Sequence, residues 1–333
     1  MLPITPNTHT MRKKVDWSAI VEQAAQKSSS VMHNMAEDII KSMQEAGMGQ
    51  GVTPEEIQDI VKPMLDEFKQ EVLSVTPKVI EVKLPKKAPK KVERAHYNFE
   101  KLVRMSSAKL NVALIGEAGS GKSFGSVQLA EVLGLEHYTM SLHGKMTATD
   151  LRGYCDANGK YNDSPIYKAF KNGGVLVLDE FDRSNTEVTV SLNNLLAGSS
   201  YLFPNGEQVK KHEEFRVIAC QNTTGTGGSK TYAAAQRQDG ATLNRFVKLE
   251  WNIDEALEIA VAGNTIATRA VQKMRHNARE MAMTDIIISP RQSIDSNKLM
   301  EVGFTLEEAL EHTILHGLAD DVRKRLMNGV SLV

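Results

Sequence analysis

The stretch GEAGSGKS, Gly116 to Ser123, sets a glycine four residues ahead of Gly-Lys-Ser. It follows the apolar run NVALI and opens the helical pattern KSFGSVQLAEVLG. This is the G-x-x-x-x-G-K-[ST] phosphate loop in a strand–loop–helix setting. Glycines let backbone N–H groups turn inward on phosphate oxygens, and the start of the helix adds a favourable dipole. Gly116, Glu117, Ala118, Gly119, Ser120, Gly121, Lys122, Ser123 and Phe124 are the candidate nucleotide-binding residues. Lys122 has the reach for the β- and γ-phosphates, and the Ser123 hydroxyl suits Mg²⁺. The bland alternative is a glycine-rich turn that binds nothing.

Working outward, further apolar runs alternate with helical stretches: HYTMSL (137–142), VLVLDE (175–180), FRVIACQN (215–222) and FVKLEW (246–251). Continuous apolar strands separated by helices indicate an α/β fold with a parallel sheet covered on both faces. The run at 175 ends in Asp179 and Glu180, and acids at the end of a buried strand are costly unless they meet a cation or do chemistry. Asp179 suits the Mg²⁺ site opposite Ser123, and Glu180 suits a base that orients or deprotonates water. Adjacent acids there also serve simply to cap the next helix. Asn222 ends the following strand, where an amide can hold a water against the γ-phosphate, although Asn is common in turns.

The remaining chain sets the frame. Its 333 residues suggest about two domains, and 41% apolar with 24% charged residues supports a core. A net charge of −1 gives no whole-molecule attraction to nucleic acid or membrane. No apolar run approaches the roughly 20 residues of a membrane span, and MLPITPNTHTMRKK is no signal peptide. Cys155 and Cys220 form no disulfide framework and no zinc spacing. A cytoplasmic protein is expected. Residues 1–75 read as an N-terminal helical extension, with stripes through Val21–Met43 and Ile57–Val72 and a capping box at Thr53 and Glu56. Pro63 should kink the second helix. Residues 76–94 read as a basic, Pro-rich linker, with a short strand at Val79–Val82 as an option. Its lysines suit a solvated connector better than a nucleic-acid contact, because no aromatic residues are interleaved.

These elements, in this order, resemble the AAA+ ATPases over residues 92–333. The likeness is strongest to the MoxR and CobS-like branch, which includes the chelatase motor subunits. It rests also on the Asp150-Leu151-x-Gly153 element, the hairpin Tyr201–Glu214 with its Asn205-Gly206 turn signal, and SPRQ at 289–292. The resemblance implies a P-loop core (95–252) with a five-stranded parallel sheet and a C-terminal helical lid (253–333). It implies Walker A at Lys122 and Ser123, Walker B at Asp179 and Glu180, and sensor 1 at Asn222. Arg291 matches sensor 2, and Arg245 in LNRF matches the arginine finger, with Asn244 where the family usually has Asp. The N-terminal extension does not match.

Further expectations follow from the same resemblance. ATP with Mg²⁺ would be hydrolysed at subunit interfaces of a homo-oligomeric, hexameric ring. The insert at His143–Asp156 would face a protein client, and a partner with a von Willebrand factor A domain is the leading expectation. A nucleic-acid motor and a nucleotide-gated scaffold without turnover are the alternatives. Arg183 and Arg237 are interface candidates or surface salt-bridge residues. His96 is an adenine contact or a helix-start histidine.

Overall fold

The computed structural model describes residues 78–82, 90–263, 265–283 and 285–331, all within one compact unit, Leu73–Val333. The helices expected over 1–75 lie outside the described residues. Strands β1 (Lys78–Val82) and β2 (Lys90–Ala95) precede helix α1 (Phe99–Ser107), β3 (Val112–Ile115), α2 (Lys122–Leu133) and β4 (His137–Ser141). Next come α3 (Ala148–Arg152), the hairpin β5 (Tyr154–Cys155) and β6 (Tyr161–Asn162), α4 (Pro165–Asn172), β7 (Gly174–Asp179) and α5 (Thr186–Ala197). A second hairpin, β8 (Ser200–Leu202) and β9 (Gln208–Lys210), leads to β10 (Phe215–Gln221), α6 (Gly240–Leu243) and β11 (Val247–Glu250). Helices α7 (Glu255–Ala262), α8 (Thr265–Glu280), α9 (Pro290–Glu301), α10 (Leu306–Leu310) and α11 (Asp320–Leu326) complete the order.

The five apolar runs form one sheet in the order β11-β3-β10-β7-β4, every neighbouring pair parallel. Successive residues of a strand face opposite sides, so an apolar run buried throughout builds two cores. Along β7, Val175 and Val177 join one core while Leu176 and Leu178 join the other, and β10 splits its residues the same way. The expected five-stranded α/β core is therefore present.

The stretch read as a linker differs. β1 and β2 pair antiparallel, and Val82, Val92 and Ala95 are buried in the core that also holds Leu114 and Trp251. The Lys90 ammonium donates to the Glu131 carbonyl at the end of α2. This part of the basic stretch is built into the α/β body. The Asn205-Gly206 signal also resolves differently from a two-residue turn. Phe203 N–H donates to the Glu207 carbonyl at 3.0 Å and Gly206 N–H to the Phe203 carbonyl at 2.9 Å. Pro204, Asn205 and Gly206 form the loop, with Gly206 at φ 79° in the left-handed position such a loop requires.

The C-terminal helices bury a third core around Val271, Met274, Ile288 and Leu310. A buried ion pair ties three of them: Arg275 on α8 meets Glu258 on α7 at 2.6 and 2.8 Å, and Ser293 on α9 donates to Glu258 at 2.5 Å. Capping boxes at Ser289–Gln292 and Thr305–Glu308 open α9 and α10, with Pro290 in the first turn of α9. Among the described residues, no helix is long and apolar enough to cross a membrane.

Candidate functional site

The phosphate loop is shaped by what surrounds it as much as by its own glycines. Gly119 and Gly121 sit at φ 80° and 86°, conformations that side chains other than glycine rarely adopt. Gly116 has no room for a side chain: a Cβ there would lie 1.9 Å from the Trp251 carbonyl oxygen. A Cβ on Gly119 would meet Ser289 at the start of α9 at 2.8 Å. The loop is thus pressed between the last strand of the sheet and the C-terminal helices.

A cavity of about 690 Å³ opens over this loop, at the C-terminal ends of the strands. Of the residues singled out in the sequence, Ala118, Gly119, Gly121, Lys122, Ser123, Phe124, Asp179, Glu180, Asn222 and Arg291 all line it. Gly116, Glu117 and Ser120 do not. Glu117 turns instead to Arg279 on α8, which it meets at 3.0 Å through both carboxylate oxygens. Ser120 is buried, and its hydroxyl has no partner among the described residues.

Lys122 is the hub. Its ammonium donates to the Gly116 carbonyl at 2.8 Å, the Glu117 carbonyl at 2.9 Å and Asn222 Oδ1 at 3.0 Å. Burial pushes its pKa down, opposed by the nearby Asp179 and Asp182 carboxylates. An anion arriving at this ammonium would relieve that penalty. Ser123 Oγ donates to Asp179 Oδ2 at 2.9 Å. A hydroxyl and one carboxylate are hard oxygen donors, the kind Mg²⁺ takes alongside phosphate oxygens and water. That modest set agrees with there being, among the described residues, no cluster of three acidic, His or Cys side chains able to hold a metal alone.

Glu180 follows at φ 53°, ψ 36°, and Arg183 Nη1 donates to its Oε1 at 2.7 Å. Arg183 is thus a salt-bridge residue, and its partner is the candidate base. Arg237 is exposed. His96 is buried, stacked on Trp251 with ring centroids 4.0 Å apart. Its Nδ1 accepts from Asn98 N–H at 3.1 Å, so Nε2 donates to the Asn252 carbonyl at 2.8 Å. It does not line the cavity, which favours the helix-start reading over an adenine contact.

Arg245 lies elsewhere. Val247 on β11 pairs beside Val112 at the start of β3, while Ile115 at its end leads into the phosphate loop. At about 3.3 Å per residue, Arg245 sits on the order of 10 Å or more below that loop, at the opposite ends of the strands. Its Nη1 donates to the Ala241 carbonyl at 2.6 Å, its Nε has no partner among the described residues, and it does not line its own chain's cavity.

Asp182 and Tyr232 line the cavity and carried no assignment in the sequence. Asp182 is buried, and its Oδ2 accepts from the Asn222 N–H at 3.0 Å, the Thr223 N–H at 2.8 Å and the Thr223 hydroxyl at 2.9 Å. It fixes the turn that presents Asn222. The one available signal was a third acid two residues past Glu180. Tyr232 projects from the long loop after β10, and its hydroxyl accepts from the Ala118 N–H at 3.1 Å. No sequence pattern marked it.

This geometry agrees with similarities to known proteins. Residues 111–238 match the AAA domain (dynein-related subfamily). The chain is 27% identical over 226 residues to protein NorQ of Paracoccus denitrificans, covering 64% of this chain and 81% of that protein. It is 26% identical over 243 residues to the denitrification regulatory protein NirQ of Pseudomonas aeruginosa, covering 69% and 91%. A mouse protein, von Willebrand factor A domain-containing protein 8, is 25% identical over 202 residues, covering 50% of this chain but 10% of that one. Among solved structures, NtrX of Brucella abortus in complex with ATP aligns at a TM-score of 0.41 and 14% identity, covering 82% and 64%. With a phosphate loop, acidic strand and terminal Asn on a sheet of this order, residues 111–238 match an AAA domain, and the chain resembles the AAA+ ATPases of the MoxR-like branch.

Proposed function

We propose that this protein is a ring-forming ATPase motor that hydrolyses ATP at subunit interfaces to remodel or activate a partner protein. The observation that carries the reading is the separation of Arg245 from its own chain's cavity. Every other phosphate-handling group converges there, and the remaining arginine faces away. The proposed homo-oligomer, a hexameric ring, brings Arg245 of one copy to the γ-phosphate held by the next.

On this reading Lys122 and the inward N–H groups of the phosphate loop bind the β- and γ-phosphates. Ser123 and Asp179 would hold Mg²⁺, which neutralises charge between those phosphates. Glu180 takes the proton of the attacking water, and Asn222, set by Asp182, orients that water. Arg291 and the neighbour's Arg245 stabilise charge on the transferred phosphoryl group. A partner bearing a von Willebrand factor A domain is supported by the mouse relative, whose name records such a domain in the same polypeptide as a region similar to this chain. The NorQ and NirQ relatives, the latter named as regulatory, support an activating role.

Mixed subunits test the interface. Glu180→Gln and Arg245→Ala should each bind ATP and each lose turnover, by about 10³-fold for the arginine. Mixing the two variants pairs an intact site with an intact arginine. Random assembly through head-to-tail contacts should restore about a quarter of the wild-type rate. No recovery from a mixture that stays monomeric with ATP at micromolar protein would overturn the ring.

A further inference from the structure

We infer that Tyr232 senses the terminal phosphate of the bound nucleotide. Its hydroxyl, seated on the phosphate loop, donates to a nucleoside triphosphate and has nothing to reach in a diphosphate. The inference rests on the ATP-site reading above and adds a binding residue to it.

The Tyr232 oxygen accepts from the Ala118 N–H at 3.1 Å. A phenol that accepts one hydrogen bond still carries its own proton to donate. Among the described residues that proton has no acceptor. Ala118 follows Glu117, whose carbonyl accepts from Lys122, and the same ammonium reaches Asn222 Oδ1. The hydroxyl therefore sits at the Lys122–Asn222 end of the loop, where the β- and γ-phosphates belong. A donor placed there fits an oxyanion.

The position is built rather than incidental. Tyr232 lines the 690 Å³ cavity and also a second one of about 430 Å³ against α8 and the segment Met283–Ile288. Its ring forms part of the wall between them. The Tyr232 N–H donates to Ser229 Oγ at 3.1 Å, and its carbonyl accepts from Ala235 N–H at 3.1 Å. The loop that carries it is tied down on both sides by the segment after β7. Asp182 holds Asn222 and Thr223 with its carboxylate and takes the Gln236 N–H on its carbonyl at 2.6 Å. Gln238 donates to the Ser184 carbonyl at 2.8 Å. Beyond it, Asp239 caps α6, the helix that ends just before Arg245. One run of chain thus joins Asn222, Tyr232 and Arg245.

The test compares two ligands on the full chain with Mg²⁺, by calorimetry with ADP and with the non-hydrolysable triphosphate AMPPNP. Tyr232→Phe keeps the ring and removes the hydroxyl. It should weaken AMPPNP about tenfold, the scale of one hydrogen bond to a charged group, and leave ADP within about twofold. Equal weakening of both ligands would make Tyr232 a structural cap of the loop and overturn the inference. So would unchanged binding of both. Wild-type protein that binds neither nucleotide would sink the ATP-site reading itself, and this inference with it.

Discussion

Arg183 Nη1 lies 2.7 Å from Glu180 Oε1, three residues apart on one short turn at the end of β7. The carboxylate proposed to receive a proton from water is therefore held by a cation. Both side chains are partly exposed, at 44% and 38%, and such pairs are worth about 1 kcal/mol or less. Arg183→Ala should raise basal ATP turnover by up to about fivefold, the rate equivalent of that energy. Steady-state hydrolysis at saturating ATP reads it directly. A large fall instead would mean that Arg183 acts on the transition state.

Asp182 offers a separable effect. Asp182→Ala leaves the Asn222 and Thr223 N–H groups without their acceptor, and each orphaned buried donor costs about 1–3 kcal/mol. Turnover should fall by about tenfold or more, as a water-positioning side chain is displaced. Nucleotide affinity should change far less. Asp182→Asn, whose amide oxygen can accept the same N–H groups, should recover most of the rate. A mutant pair with equal losses would argue against a positioning role.

Gly125 sets a packing limit beneath the site. A Cβ on it would lie 2.5 Å from Trp251 Cζ2, and Trp251 is fully buried. Gly125→Ala should destabilise the fold by about 1–3 kcal/mol, the usual range for overpacking. Denaturant unfolding measures this. An unchanged midpoint would show that the indole has room to move.

One cap among the C-terminal helices should be sensitive to acid. Thr305 backbone N–H and hydroxyl hold the Glu308 carboxyl below its ordinary value of 4.5. A carboxyl lowered in the folded state contributes stability above that ordinary value and loses it as pH falls through the folded one. Glu308→Ala should therefore be less stable than wild type at pH 7. The gap should narrow as pH falls below 4.5 and close at a pH below the lowered folded value. A gap that persists at that pH would place its origin elsewhere than in this ionised cap.

The core was legible because its signals are local. The phosphate loop declares itself within Gly116–Ser123, and VLVL and FRVIACQ are buried throughout in the sheet. Arg291 was placed by the likeness of SPRQ at 289–292 to the sensor 2 element. What escaped depends on contacts distant in the chain. β2 has a burial rhythm of every third residue, with Val92 and Ala95 inward, so no strand alternation announces it among the lysines. Asp182 and Tyr232 act on backbone N–H groups 40 and 114 positions away, and a backbone donor leaves no trace in the identity of the residue that supplies it. His96 stayed between two readings because its stacking partner Trp251 comes from the far edge of the sheet.

Trp251 packs against the chain on both sides of the phosphate loop. Its carbonyl abuts Gly116, its ring abuts Gly125 at the start of α2, and His96 lies flat against it. The chain has two tryptophans, Trp17 and Trp251. The indole emission of a Trp17→Phe variant would come from Trp251 alone. Its colour and intensity would then follow the phosphate loop as nucleotide enters and leaves, an optical gauge of occupancy that needs no attached dye.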